Sequence, residues 1–565
     1  MACRIAEIRN VMNNRDPFLH RYFPWLLLAG ILLNIPGLWL DIIEPDGALY
    51  ATIAKHIVLH NDWVNLYGDG HDWLDKPHFP FWMAAISYKV FGITGFAYKL
   101  PAFLFWLLSL RYTYLIARDL YNEDVAKIAV LIYTVALHST LANFDVRAEP
   151  YLTACITGAA WHMLRVHARA HWSHIVWAAL FAACAIMTKG VFVLITLAGG
   201  WVVYWLITKQ FREFINYRWW LVLALCFVFI IPELYSLYVQ FDLHPEKVVF
   251  GRSNVSGLRF FFWDSQFGRF FNTGPIKGSG NVTFFLHTTL WAFLPWSVGL
   301  VGAIVYLLRF EKNRDSIRWV IYGSTLLTFL LFSLSKFQLP HYLVIEFPYF
   351  SIITAYFFTE LARRSKLHHL VTVQTVLLFV TMAFISGLLY ITRIENGIAA
   401  AAIALGIVFA ASIIHYRNAM QELLFKGYAM AAMLYIFLFQ FFYPFLLQYQ
   451  SGMQAARVIP EKNSHLPVAA YGSFSYSFEF YSPGEVKLIK SGKYLDDFID
   501  TAPCYLYTTA AVADSLIRSG VDAEVQASPK HFHVTRLKYG FLDEKKRSAV
   551  VEPRYLLYIR DEDTL

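Results

Sequence analysis

The chain has 565 residues, 57% of them hydrophobic and 18% aromatic, and only 16% are charged. So few polar residues cannot cover that much apolar side chain in water, and a mean hydropathy of +0.45 excludes the ordinary soluble classes. The formal charge of +8 reads as membrane topology signal and not as a nucleic-acid-binding surface.

In chain order, apolar runs recur near 22–40, 98–117, 126–143, 148–164, 174–189, 190–207, 219–237, 284–308, 319–335, 340–360, 370–391, 398–415 and 428–449. Each approaches the roughly 20 residues that a helical span needs, so the expected fold is a polytopic α-helical membrane protein with about 13 spans. Lys189 and Gly190 interrupt the region 174–207. Between the first two runs, "PDGALYATIAKHIVLHND" carries Leu49, Ile53, Ile57 and Val58 near one stripe. That pattern predicts a helix lying along the membrane surface, with Pro45 in its first turn. From about Ser451 the composition turns ordinary. There "LPVAAYG", "CYLYTT" and "RYLLYIR" read as strands and "AAVADSLIRSG" as a helix ending at Gly520, which predicts a small α/β domain. The expected division is a transmembrane domain over 1–450, with long outer loops at 41–97 and 238–283, and a soluble domain over 451–565.

Basic residues cluster on one side of the spans, at Arg165 and Arg169, at Lys209, Arg212 and Arg218, and at Arg363, Arg364 and Lys366. This bias marks the cytoplasm, and it places the N-terminus there with Arg4, Arg9, Arg15 and Arg21. The stretch 41–80 carries Asp41, Glu44, Asp46, Asp62, Asp69, Asp72 and Asp75 against only Lys55 and Lys76, so it falls outside. An odd number of spans puts the C-terminal domain outside as well. The first apolar run is too long for a cleavable signal and no small-residue site follows it. The five cysteines, Cys3, Cys155, Cys184, Cys226 and Cys504, are scattered and form neither a disulfide framework nor a CxxC pattern.

Three strings place acids beside Pro or a base at a span boundary: "EPDGALY", "LDKPHFPFW" and "FDVRAEPYLT". Ionisable groups at membrane depth are costly and usually functional, although a lone carboxylate at a helix start is as often an N-cap. The loop 238–283 supplies Lys247, Arg252, Arg259, Arg269 and Lys277 against Asp242, Glu246 and Asp264. Cations on the outer side run against the topology bias, and phosphate recognition gives them a reason. In "LSKFQLPHYLVIEFP", Lys336 and Tyr342 flank Pro340 between two spans, where the Lys can snorkel or hold an anionic headgroup.

At these strings the sequence resembles the membrane-embedded GT-C glycosyltransferases of the protein O-mannosyltransferase and lipid A aminoarabinose transferase type. "EPDGALYATIAKHIVLHNDWV", "LDKPHFPFWMAAISYKVFG", "FAYKLPAFLF", "VRAEPYLTA", "MTKG", "FLPW" and "LSKFQLPHYLVIEFP" match the family's segments in order, over nearly the whole chain. The resemblance implies a multi-pass protein of the bacterial inner membrane, with its long loops and C-terminal domain periplasmic. It implies an inverting transfer of sugar from a polyprenyl-phosphate donor to a lipid or glycan acceptor at the outer face. A protein acceptor and a lipid-linked sugar transporter are the alternatives, and membrane lipids are the expected surroundings.

By position, Asp46 would be the leading catalytic carboxylate, activating or orienting the acceptor. Glu149 would be the second acid, with Asp145 one helical turn before it as competitor. Lys76 would neutralise the carrier phosphate together with Arg269, Tyr342 and, more loosely, Lys336. Glu44, Asp75 and Arg147 would support them, with Asp41 ending the first span and Glu44 capping or orienting the helix. The sequence departs from the family at Asp75, at His78 where a second Pro is common, at Glu149, and at Gly278 where the aminoarabinose transferases carry a His. Interfacial or solvated histidines are expected at His56, His60, His71 and His78 before a zinc site. No cofactor is called for, and a divalent metal stays open.

Overall fold

The computed structural model describes residues 17–311 and 315–561; Cys3, Arg4, Arg9 and Arg15 lie outside them. A backbone in hydrocarbon must satisfy its own hydrogen bonds, and a helix does so within one segment. Every apolar run read from the sequence falls on helix. The runs appear at Pro17–Asn34, Gly95–Leu120, Glu123–Thr134 with Leu137–Phe144, Glu149–His167, Ser173–Lys189, Val193–Ile207 and Tyr217–Phe229. Further on come Phe284–Ala292 with Ser297–Phe310, Trp319–Leu334, Phe347–Arg363, His368–Thr392, Gly397–Ile413 and Ala419–Phe437. Among the described residues, six helical segments are long and apolar enough to cross a membrane. There are seven if Glu123–Thr134 and Leu137–Phe144, bent by 53° to one another, form one span. Others, such as Ser173–Lys189 and Trp319–Leu334, are apolar but shorter.

The C-terminal part is built as read. Strands Val468–Tyr471, Val486–Ile489 and Cys504–Thr509 pair in parallel, the first lying between the other two. Glu552–Ile559 runs antiparallel to Cys504–Thr509 on one side and to Ala523–Ala527 on the other. The inner strands are buried, as parallel strands covered on both faces must be, and the Ala510–Arg518 helix stops just before Gly520 at φ +93°.

The structure corrects one expectation for the first loop. The Asp46–His60 helix forms where read, but Gly47 through Ile57 are all buried, so it is no half-exposed surface helix. It is enclosed because the Phe79–Phe91 helix packs on one side and the C-terminal Tyr476–Tyr481 helix on the other. The acids before it hold that second contact. Asp41 accepts from Tyr481 Oη at 3.1 Å and from Arg457. Glu44 Oε1 accepts from Ser475 Oγ at 2.5 Å and from the Ser477 amide at 2.6 Å. Buried Lys55 donates to the carbonyls of Glu479, Phe480 and Ser482 at 2.8, 3.2 and 2.8 Å. These are orphan acceptors at a helix C-terminus, which a cation satisfies well.

Lys55→Met should therefore loosen the C-terminal domain. Leaving three buried carbonyls without their charged donor costs about 2–3 kcal/mol. The expected result is faster proteolytic nicking between 451 and 485, with the transmembrane part still folded. Unchanged protection would show that the Lys55 contact contributes nothing to docking.

Candidate active site

The two outer loops and the ends of five helices converge on a cavity, and its cations come from three separate elements. Lys76 and Asp75 sit in the turn just before the Phe79–Phe91 helix, and Lys76 Nζ donates to Asp75 Oδ2 at 2.7 Å. Arg269, from the second loop, donates to the same carboxylate and to the Asp75 carbonyl, the latter at 3.2 Å. Lys189 ends the Ser173–Lys189 helix and points its Nζ at Glu149 Oε1, 2.8 Å away, and over the Tyr342 ring at 4.1 Å. Asp75, Lys76, Lys189, Arg269, Phe337 and Tyr342 all line this cavity. The chain breaks sharply after Lys189 because Gly190 adopts φ +98° with the Gln266 amide against it. A Cβ there would lie 2.1 Å from Gln266 Nε2, so only glycine allows the close approach.

Charge competes with burial here. Burial would raise the Asp75 carboxyl, but Lys76 and Arg269 beside it hold it down at about 2. Burial, with Arg269 and Lys189 close by, brings the Lys76 ammonium down to about 8, although Asp75 opposes the shift. Three cations, Lys76, Lys189 and Arg269, face three carboxylates in the lining, Asp75, Glu149 and Glu233; Glu233 is taken up by His78, and the remaining wall is largely apolar.

A second cavity of about 450 Å³ opens on the other side of Glu149, within the range of about 300–1,000 Å³ of small-molecule sites. Its polar lining includes His138, Asp145, Arg147, Glu149 and His341, and the C-terminal residues Val534 and Leu537 close one wall. Arg147 is gripped from both sides, by Asp46 Oδ2 at 2.6 Å and by Asp145 Oδ2 at 2.9 Å. Burial lifts the Asp145 carboxyl above its usual range against the pull of Arg147, with Asp46 adding to the rise. Its Oδ1 is buried with no hydrogen-bond partner. The one-helical-turn spacing expected between Asp145 and Glu149 is absent, because a break separates the Leu137–Phe144 helix from Glu149–His167. The two acids thus have different partners.

The short 3₁₀ turn Pro340–Glu346 divides the two spaces. Tyr342 faces the first cavity and His341 the second, while Glu149 lines both. An unbroken polar chain crosses this partition. Asp46 meets Arg147, Arg147 Nη1 lies 3.4 Å from His341 Nδ1, His341 Nε2 lies 3.8 Å from Glu149, and Glu149 meets Lys189.

The structure thus brings together Asp46, Asp145, Arg147, Glu149, Asp75, Lys76, Arg269 and Tyr342. Glu44 instead binds the C-terminal domain, and Lys336 is exposed and absent from the cavity lining, where its neighbours Ser335 and Phe337 stand. Of the other second-loop cations, Lys247 ties to Asp72 at 2.9 Å, whereas Arg252, Arg259 and Lys277 are exposed. Two of the four first-loop histidines are buried and paired, not solvated. His56 Nδ1 contacts the Tyr67 carbonyl, and His78 meets Glu233 through its amide and Nδ1 at 3.0 Å each and Val64 O through Nε2. Lys189 and His341 were absent from the sequence-derived site.

The residues do not fit a divalent metal at Asp75. Its carboxylate is consumed by two cations, and among the described residues no group of three or more His, Cys, Asp or Glu could hold an ion. At Gly278, where the resemblance places a ligand His, a Cβ would lie 2.5 Å from the Lys336 carbonyl oxygen.

Residues 75–235 match the family described as dolichyl-phosphate-mannose-protein mannosyltransferase. A crystal structure of ArnT from Cupriavidus metallidurans bound to undecaprenyl phosphate superposes with a TM-score of 0.73. The overlay covers 95% of this chain and 97% of that one at 16% identity.

The chain shares the fold of ArnT.

Among curated relatives, the undecaprenyl phosphate-alpha-4-amino-4-deoxy-L-arabinose arabinosyl transferase 2 of Proteus mirabilis is 25% identical over 371 residues. That match spans 64% of this chain and 63% of the relative. The Pseudomonas aeruginosa transferase of the same type is 27% identical over 330 residues, 56% of each chain. The chain therefore matches less than two thirds of the length of either relative. The structural overlay, by contrast, includes both the helical part and the C-terminal sheet.

Proposed function

We propose that the chain is an inverting glycosyltransferase that moves a sugar from a polyprenyl-phosphate donor to lipid A or another glycolipid or glycan. The observation that carries this reading is the pair of cavities meeting at Glu149, with Lys76, Lys189 and Arg269 lining one and Asp145 and Arg147 the other. In the first cavity, Lys76, Arg269 and Lys189 hold the carrier phosphate and balance the charge that develops as it departs. The apolar remainder of that cavity takes the start of the isoprenoid, which cannot enter water. In the second, Asp145 and Arg147, with Asp46 bracing Arg147, hold the acceptor in line behind the anomeric carbon. Attack from the side opposite the phosphate inverts that centre. Glu149 ties the two halves together through Lys189.

On this reading the protein lies in the bacterial inner membrane, with about 13 spans, a cytoplasmic N-terminus, and periplasmic long loops and C-terminal domain. The functional division follows 1–450 and 451–565. The relatives' names and the GT-C fold support the lipid-linked donor, and those names also favour a lipid acceptor over a protein one.

The test is donor consumption by the purified chain in detergent. Lipid-linked sugars extracted from the host membrane should be converted to free polyprenyl phosphate when host glycolipid is added. A flippase would return every donor chemically unchanged, and that result would overturn the proposal.

A further inference from the structure

Two features of the partition bear on the acceptor. The first is charge. Arg147 is the one cation among the side chains lining the second cavity, and Asp46 and Asp145 already bind it. Asp145 and Glu149 line the same space, and one Asp145 oxygen is buried without a partner. A phosphate nucleophile brought here would meet carboxylates with no cation left over, at a cost that low local dielectric makes severe. A neutral hydroxyl meets acceptors instead, which suits a group that must donate a proton.

The second feature is His341. Its Nδ1 faces a guanidinium nitrogen of Arg147 at 3.4 Å, and a guanidinium only donates. The ring nitrogen there must accept, so the imidazole is neutral with its proton on Nε2, facing Glu149 at 3.8 Å. This tautomer suits a general base, with a lone pair toward the second cavity and a carboxylate behind the opposite nitrogen. The 3.4 Å contact is long enough for an acceptor hydroxyl to displace. The other groups facing the ring are Lys189, beyond Glu149, and His138 from the Leu137–Phe144 helix. Tyr342 packs edge-on at 5.1 Å between ring centres. Asp46 and Asp145 already hold Arg147, whereas His341 carries an accepting nitrogen with only this one long contact.

Resting on the glycosyl-transfer reading above, we propose that the acceptor presents an uncharged hydroxyl and that His341 takes its proton. The acceptor oxygen bonds to the anomeric carbon as the bond from that carbon to the phosphate oxygen breaks. The hydroxyl proton passes to His341 Nδ1, and Glu149 stabilises the imidazolium. The electron pair leaves on the polyprenyl phosphate, among Lys76, Lys189 and Arg269. A phosphate acceptor would need no base and would yield a phosphodiester-linked sugar.

The experiment uses the full chain in detergent, lipid-linked sugar from the host membrane, and host glycolipid either untreated or stripped of phosphate by phosphatase. Transfer should persist on the stripped glycolipid, with mass spectrometry locating the new sugar on a carbon-bound oxygen. The wild-type kcat should fall toward acid pH, where a protonated His341 can no longer accept the hydroxyl proton. His341→Gln should lower kcat by about 10²- to 10⁴-fold, keep the donor KM and lose the acid limb. Binding of undecaprenyl phosphate by the variant reports that it folds. Should it not bind, product linkage and the wild-type pH profile decide alone. Strict dependence on the phosphate, or a variant with kcat within threefold and the acid limb intact, would overturn the proposal. A wild-type chain that consumes no lipid-linked sugar would refute glycosyl transfer itself, which is a different outcome.

Discussion

Asp46→Asn is expected to reduce sugar transfer by about 10²- to 10³-fold, the scale of misplacing a reactant or removing one aligned charge. The change keeps the side chain's shape and removes only its charge. Arg147 would stay in place, because Asp145 still holds it through two nitrogens, at 2.9 and 3.1 Å. The frame would lose one of its two carboxylates, and Arg147 would be left paired with Asp145 alone. Stability should hardly move, since the Asp46 side chain is 37% exposed and ion pairs of that exposure contribute about 0–1 kcal/mol. The measurement is kcat for donor consumption beside the thermal midpoint of the same preparation. A fully active variant would sink the assignment of Asp46. An inactive variant with a collapsed midpoint would make its role structural.

Much of this arrangement was legible in the sequence, for a physical reason. Carboxylates and cations avoid membrane boundaries unless something requires them, so "EPDGALY", "LDKPHFPFW" and "FDVRAEPYLT" stood out against an apolar background. They mark Asp46, Asp75, Lys76, Asp145, Arg147 and Glu149, which the fold does assemble. Less legible was the division of labour within each string. Asp41, Glu44 and Asp46 lie within six residues, yet the first two bind Tyr481, Arg457, Ser475 and Ser477 more than 400 residues away. No local pattern carries that information. Lys189 read as an interruption of an apolar run, although a Lys followed by Gly at a helix end is how a cation is delivered from a span into a cavity. Lys336 drew attention because it is charged, but direction in an irregular turn is set by backbone geometry. There His341 and Tyr342 turn inward to opposite cavities and Lys336 turns out. The Asp46–His60 helix was read correctly as a helix and wrongly as a surface, because its cover comes from the far end of the chain.

The C-terminal domain is therefore more than an appendage to the helical part. Asp41, Glu44 and Lys55 clamp it over the helix whose first residue is Asp46, and Val534 and Leu537 reach into the second cavity. On the proposed reading, acceptor recognition and docking of this domain are linked through the Asp46–His60 helix. Variants that loosen the clamp should lower acceptor affinity before they lower affinity for the polyprenyl phosphate.

Lys76→Met is expected to raise the donor KM by about 10- to 150-fold while leaving the acceptor KM close to wild type. The estimate is the loss of one charge-assisted phosphate contact, about 1.5–3 kcal/mol. Met keeps the length and apolar stem of the side chain, so the change is electrostatic. Arg269 and Lys189 remain to hold the phosphate, which is why binding weakens and does not vanish. The same residue predicts a pH dependence whose sign is set by its neighbours. In the free protein, burial among Arg269 and Lys189 brings the Lys76 ammonium down to about 8. A bound phosphate favours the charged form and raises that value, so binding above pH 8 takes up a proton. Donor affinity should therefore be flat below about pH 8 and weaken by up to tenfold per unit above it, until the value of the bound state is reached. Lys76→Met should remove that alkaline limb along with the affinity. A variant that loses affinity but keeps the limb would assign the titration to another group and leave Lys76 as a spacer. Retention of both would show that Arg269 and Lys189 hold the phosphate without it.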